Sequence, residues 1–418
     1  MSLSFLGTGM TDHAGPTEAT DRAELLELAR DLVSIPSHED ETRAGDYIER
    51  WLGDHTDARV TRDEAANVLA RRALGDTDGT DTESTSLAFV GHHDVVPPDD
   101  AQLADDGGGS DDDEPGEYVL TERDGRLYGR GSADMKGALA AAMCAFRDAG
   151  SWGGSEQDGR NAEADPGESE SLPIEELVFV SFVGEEQGGI GARYAIDAGF
   201  APDYAIVGEG STGYSAPGVT DVAVAHKGRR ASTITASGEA AHASEPAAGE
   251  NAIYRACEAV EVVREVDAPT IEVAEKELAG SVVVTEINGG AAWNVIPDVC
   301  TLTIDERTVP GERAPLGDVE GIDGVSWDIE QDLPPMRCLS EEFADTTLEA
   351  ATKTQGGDPK LVTKPHATDA GWLAEAGTAC VICGPAEPGE AHTEDESVSI
   401  DVLEHCYRIY RSGAEATR

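Results

Sequence analysis

The chain has 418 residues, of which 39% are hydrophobic, enough for about two or three domains with a lean core. Its 83 acidic residues against 30 basic ones leave a formal net charge of −53, which excludes nucleic acid and anionic membrane as partners, because both are polyanions. So much acid with so little lysine fits a salt-rich cytosol, where screening moderates self-repulsion, and the source is expected to be halophilic.

The seven cysteines are odd in number and scattered, so they do not form a secreted disulfide framework. Cys380 and Cys383 make a CxxC, but no second pair follows and the stretch reads as a buried strand. The N-terminus carries neither a basic region nor a long apolar run, so a cytoplasmic protein is expected.

In chain order, residues 1–18 read as a loose tail, with Met10 a candidate true start. Leu25, Leu28, Ala29, Leu32 and Val33 then give a helical apolar face that ends before Pro36. A second helix is expected from Thr42 to Leu52. Ser86 to Gly91 is an apolar strand with His92-His93-Asp94 at its end. Residues 99–117, with Asp111 to Glu114, and 151–173 read as acidic, solvated insertions. Between them, Tyr128 to Gly137 is a glycine-rich turn that presents Asp134 just before an alanine-rich helix from Ala138 to Phe146. Further strands, Glu176 to Val183 and Asp203 to Gly208, end in Glu185-Glu186 and Glu209.

Strands alternating with helices predict a mostly parallel sheet with helices on both faces, and ligands bind beyond the carboxyl ends of such strands. From about 220 the pattern changes. Val222 to Ser237 alternates as one strand, a helix follows near 250–264, and two strands, a weak helix and a last strand complete a ferredoxin-like β-α-β-β-α-β unit. The expected organisation is therefore a catalytic domain of 19–219 and 338–418, interrupted by an inserted α+β domain of 220–337. A helix at 341–354, a strand from Ala379 to Cys383 and a helix from Ile400 to about Ser412 complete the chain.

The acidic residues and histidines at the strand ends have the chemistry of a two-metal centre. Two divalent ions about 3.5–4 Å apart need a shared carboxylate and a few further N or O donors. Asp134 is the candidate bridge, His92 and Glu209 complete one site, and Glu186 and His392 complete the other. Asp94, two residues beyond His92, falls on the same face of an extended segment and can orient the imidazole. Glu185, beside Glu186 but pointing elsewhere, is the candidate general base.

Taken together, Gly91-His92-His93-Asp94-Val95-Val96-Pro97, Tyr128 to Gly137, Gly184-Glu185-Glu186, Val207-Gly208-Glu209 and Ala391-His392-Thr393-Glu394-Asp395-Glu396 resemble the M20 family of co-catalytic zinc amidohydrolases and metallopeptidases, in order and over nearly the whole chain. The resemblance implies a di-zinc exopeptidase-like fold, two divalent metals (zinc, with cobalt or manganese possible), a cis peptide after the bridging Asp, and an inserted lid that mediates homodimerisation. It implies a lid histidine, His242, that stabilises the oxyanion across the dimer. It also points to Arg307 and Asn294 on the substrate carboxylate and to Arg229 or Arg230 on a second carboxylate. His366-Ala367-Thr368-Asp369 departs from the family's usual Gly-Gly-Thr-Asp turn, where specificity would lie. The implied reaction is hydrolysis of an N-acyl amino acid such as N-succinyl-diaminopimelate or N-acetylornithine. A dipeptidase or glutamate-type carboxypeptidase is the alternative within the family, and an inactive scaffold the alternative outside catalysis.

Overall fold

A computed structural model describes residues 16–74, 85–104, 117–149, 172 and 174–416. Residues 1–15 of the expected tail, Asp111 to Glu114 and the remainder of 105–116, and nearly all of the segment 151–173 lie outside the described residues. The tail ends earlier than residue 18, because a helix already runs Pro16–Ser34. Proline suits a first helical position, where its missing N–H has no intrahelical partner to lose.

A nine-stranded sheet forms the body. Its order is Arg59–Arg62, Val68–Ala73, Glu176–Phe182, Ser86–His92, Tyr204–Val207, Ala379–Ile382, Val222–His226 and Met336–Arg337, with Leu361–Lys364 also paired to Val222–His226. The four central strands, from Glu176–Phe182 to Ala379–Ile382, are parallel to one another. Both faces are covered, as the apolar runs predict. Leu87 and Phe89 face the helices Pro16–Ser34, Gly137–Asp148 and Ile400–Ala416, while Ala88 and Val90 face Ile190–Asp197 and Ala370–Glu375.

Helix Gly137–Asp148 begins directly behind Asp134, and every residue from Gly137 to Phe146 is buried. Its alanines let the surrounding sheet and helices approach on all sides.

The inserted unit is a four-stranded antiparallel sheet in the order Ser281–Gly289, Val299–Thr308, Gly228–Ser237, Val325–Leu333. Helix Ala252–Glu265 is capped by Asn251, whose side chain accepts the Ile253 N–H, and it packs Ala256, Ala259 and Val263 against Ile234, Leu302 and Ile304. The expected weak second helix is a six-residue 3-10 turn, Leu316–Gly321, because Pro315, Gly317 and Gly321 leave no run that favours an α-helix.

The structure corrects the expected boundaries of this unit. Val222–His226 is buried at every residue and belongs to the large sheet, whereas Gly228–Ser237 alternates buried and half-buried and belongs to the small one. One continuous strand from Val222 to Ser237 is thus two strands in two domains, divided at Lys227. Met336–Arg337 likewise pairs with Val222–His226, so the return precedes 338. The two crossings touch: a Cβ on Gly228 would lie 2.3 Å from the Leu333 carbonyl oxygen, so only glycine fits there. We therefore place the inserted domain at 228–333. A hairpin within it, Thr270–Val273 and Lys276–Ala279, returns to the body and buries Val273 and Leu278 in the same apolar cluster as Val224, Phe343 and Ala344.

Ala141 lies in the fully buried helix behind the bridging Asp. Ala141→Leu is expected to cost about 1–3 kcal/mol by overpacking, read as a lowered urea midpoint in molar KCl.

Candidate metal centre

The two oxygens of Asp134 face opposite ways. Oδ1 lies 3.1 Å from His92 Nε2 and Oδ2 lies 3.0 Å from His392 Nε2. His92 Nε2 is also 3.5 Å from Glu209 Oε1, and His392 Nε2 is 2.9 Å from Glu186 Oε1. The structure thus brings together one set of His92, Asp134 and Glu209 and another of His392, Asp134 and Glu186, as expected. Glu185 stands close enough to His92 and Glu209 for the three to offer donor atoms within 4.8 Å of one another.

His92 comes from a strand end and Glu209 from just past one, Asp134 and Glu186 from turns that follow strands, and His392 from the loop between Ala379–Ile382 and Ser397–Ser399. His92 closes strand Ser86–His92, and Asp94 is buried two residues on. Asp94 Oδ1 is 3.2 Å from His92 Nδ1, which leaves Nε2 to face the donor cluster. Its carboxylate also accepts the backbone N–H groups of Glu185 at 3.1 Å and Glu186 at 3.0 Å. One side chain therefore sets both the imidazole and the acidic loop.

Asp134 sits in a turn where Gly131 takes φ +82°, and the Asp134–Met135 peptide is cis. Glu396 holds this turn: its Oε1 accepts the N–H groups of Ala133 at 3.0 Å and Asp134 at 3.1 Å, and its Oε2 pairs with the buried Arg130 guanidinium at 2.5 Å. His392 itself has φ +60°, an uncommon conformation for a side chain of its size and one that occurs at functional sites.

The electrostatics follow from packing five carboxylates around two imidazoles. Hydrogen bonds to Asp134 and Glu186 push His392 up to about 10. Burial opposes the charge on His92, but Asp134, Asp94 and Glu209 together hold it well above the ordinary imidazole value. Burial also opposes the charge on Asp134, yet His392 and His92 keep it ionised far below the carboxylate range. Glu185 is raised well above that range by burial, with Asp369, Glu209 and Asp134 adding to the effect. A buried excess of acid over base, built of N and O donors, is the donor chemistry of divalent ions. The residues present fit two of them.

Asp134, Glu185, Glu186, Glu209 and His392 line a cavity of about 370 Å³ together with Tyr214, Lys364, His366, Thr368 and Glu387. Sequence reasoning missed Lys364, Tyr214 and the Arg130–Glu396 support. Glu396 was visible only as the end of a motif, and nothing in its spacing marks it as the residue that carries the Asp134 turn.

The lid residues divide. Arg230 does not line the cavity: its side chain is buried on Glu306 at 2.5 Å and against the Trp327 ring. Strand alternation turns it into the small domain's interior. Arg229 and Arg307 sit opposite each other in register and share Asp305, at 2.9 Å and 2.8 Å. His242 is exposed and bonded to Ser244, and Asn294 is half-buried beside it, its backbone carbonyl accepting the Ala243 N–H. Neither lines the cavity of its own chain.

Metal uptake requires neutral imidazoles. Because both site histidines hold protons at neutral pH in the metal-free protein, zinc binding is expected to release protons and to tighten as pH rises from about 6 to 9. Calorimetry in buffers of different ionisation enthalpy measures this, and uptake without proton release would contradict the ligand set. Glu396→Gln, which loosens the turn without touching a donor, is expected to weaken zinc about 10-fold or more in chelator competition.

Comparison with known proteins agrees with this geometry. Residues 88–156 match the model of peptidase family M20/M25/M40, and residues 224–315 match that of the peptidase dimerisation domain. An acetylornithine deacetylase from Myxococcus xanthus is 27% identical over 79% of this chain and 80% of its own. A probable succinyl-diaminopimelate desuccinylase from Staphylococcus epidermidis is 29% identical over 68% of each. The crystal structure of an aminopeptidase PepT from Bacillus cereus shares the fold with a TM-score of 0.73 at 17% identity, over 95% of this chain and 98% of that one. In sequence and in fold the chain is similar to members of peptidase family M20/M25/M40, and its relatives support a metal-dependent hydrolase of amides.

Proposed function

We propose that the protein hydrolyses the amide of an N-acyl amino acid of the N-acetylornithine or N-succinyl-diaminopimelate kind, releasing the free amine and a carboxylate. The observation that carries this reading is the placement of Glu185. Its carboxylate has a raised proton affinity, lines the cavity, and stands beside the His92, Asp134 and Glu209 donors without being tied to any of them by a hydrogen bond.

His92, Asp134 and Glu209 would hold one divalent ion, and Glu186, Asp134 and His392 the other; zinc is the first choice, cobalt or manganese the alternatives. When bound, such ions supply Lewis-acid polarisation of the amide carbonyl and lower the proton affinity of water. Glu185 accepts a proton from the attacking water and delivers it to the departing nitrogen. Asp94 keeps the His92 ring and the Glu185–Glu186 backbone in place while the charge on Glu185 changes. Arg307 suits the substrate's α-carboxylate as a forked donor once its pairing with Asp305 is relaxed. His242, exposed, and Asn294, half-buried beside it, fit a role on the cavity of a second copy in a homodimer. Dipeptide or glutamate-type carboxypeptidase activity is the second reading, because those substrates present the same amide and carboxylate.

Among the described residues no helix is long and apolar enough to cross a membrane.

Glu185→Gln is expected to lower turnover by about 10²–10⁴-fold with both metals retained, measured as amine release in molar KCl beside metal analysis. Unchanged turnover would remove Glu185 from the mechanism, and a wild-type protein that holds two metals yet cleaves no N-acyl amino acid or dipeptide would return the inactive scaffold.

A further inference from the structure

The cavity wall is acidic: Asp134, Glu185, Glu186, Glu209 and Glu387 all line it. An anionic substrate entering this wall needs a fixed positive charge. Of the expected arginines, Arg230 is consumed by Glu306, and neither Arg229 nor Arg307 lines the cavity. Lys364 does line it.

Lys364 is the last residue of strand Leu361–Lys364, which pairs in parallel with Val222–His226 and so runs against the four parallel strands; the cavity lining, not strand polarity, places it at the site. Its side chain is only 6% exposed. Among the described residues its one ion-pair partner is Glu209, with Nζ 3.5 Å from Oε2, longer than the usual charge-assisted contact of about 2.7–2.9 Å. An ammonium has three donors, and the cavity is where the others can be met.

Glu209 is also a metal donor in the reading above. Once its charge is engaged by a cation, Lys364 becomes a nearly buried ammonium with no full counter-charge, a costly arrangement unless a second anion arrives. The neighbouring His366 does not compete for that anion, since burial and the charges of Lys364 and Arg307 keep its imidazole neutral. His392, the other basic group in the lining, is committed to Asp134 and Glu186.

We propose that Lys364 is a substrate-reading residue whose ammonium binds a carboxylate of the substrate on the Glu209 side of the cavity. The inference rests on the N-acyl amino acid reading and narrows it to substrates that present a carboxylate there. That carboxylate belongs either to the acyl group, as in a succinyl amide, or to the amino acid being released. The chemistry is the same, and the substrates separate the two.

The test uses the zinc-loaded full chain in molar KCl, as wild type, Lys364→Met and Lys364→Arg, with metal content measured for each. Two substrate pairs are compared: N-succinyl- against N-acetylornithine, which differ in an acyl carboxylate, and N-acetylornithine against N-acetylputrescine, which differ in the amine-side carboxylate. Loss of one charged hydrogen bond predicts that Lys364→Met lowers the kcat/KM ratio within one pair by about 10- to 100-fold, chiefly through KM, and that Lys364→Arg restores part of it. The pair that responds identifies the carboxylate. Succinate and acetate are also titrated by calorimetry into each zinc-loaded protein, and succinate's advantage over acetate is expected to fall in Lys364→Met.

Both ratios within twofold of wild type, or a loss of zinc with the ratios unchanged, would overturn the proposal and leave Lys364 a support for Glu209 alone. If the wild type cleaves none of the panel, the functional reading fails. The succinate titration still decides the role of Lys364, and an unchanged preference there would overturn it.

Discussion

Everything at this centre depends on one carboxylate held between two imidazoles. Asp134 offers Oδ1 to His92 and Oδ2 to His392, and these two residues lie on segments that only the folded chain brings together. A side chain used from both ends cannot orient itself. The Arg130–Glu396 pair takes up that task by gripping the backbone at Ala133 and Asp134. Support of this kind is worth as much to a metal site as the donors, because a donor that wanders loses affinity even when its chemistry is right.

The same economy appears around Asp94. It is buried and ionised, held low against the cost of burial by His92 and by the N–H groups of Glu185 and Glu186. The candidate base and one candidate donor are therefore positioned by a group bonded to the other side of the centre. Among the described residues the Glu185 carboxylate makes no hydrogen bond, and burial and neighbouring carboxylates raise its affinity for a proton, whereas Glu186 is tied to His392. Two adjacent glutamates thus receive different environments and different work.

The inserted domain is joined to the body more firmly than two strand crossings would require. The crossings at Gly228 and Leu333 are in contact, and the hairpin carrying Val273 and Leu278 is buried in the body's apolar cluster. These contacts set where Arg229 and Arg307 lie relative to the cavity. His242 and Asn294 sit away from the cavity of their own chain, and residues 224–315 match a dimerisation domain.

The fold class, the central strands and the candidate donors His92, Asp134, Glu186 and Glu209 were legible in the sequence because each follows from a local signal: an apolar run ended by an acid or histidine, or a glycine-rich turn before an alanine helix; His392 was legible only through the motif around it. The boundary at Lys227 was not legible. Val222 to Ser237 reads as one alternating strand, and only burial on both faces distinguishes Val222–His226 from its continuation. Nor could the sequence separate Arg229 from Arg230, which are adjacent and alike in charge. Cross-strand register buries one on Glu306 and leaves the other half-exposed on Asp305. Lys364 and Glu396 carry no local signal, since their importance lies in the partners they meet, Glu209 more than 150 positions away and Arg130 more than 260. Local chemistry is written in neighbouring residues and survives without a structure. Which charge is spent on a partner and which still faces the cavity is a property of tertiary packing alone.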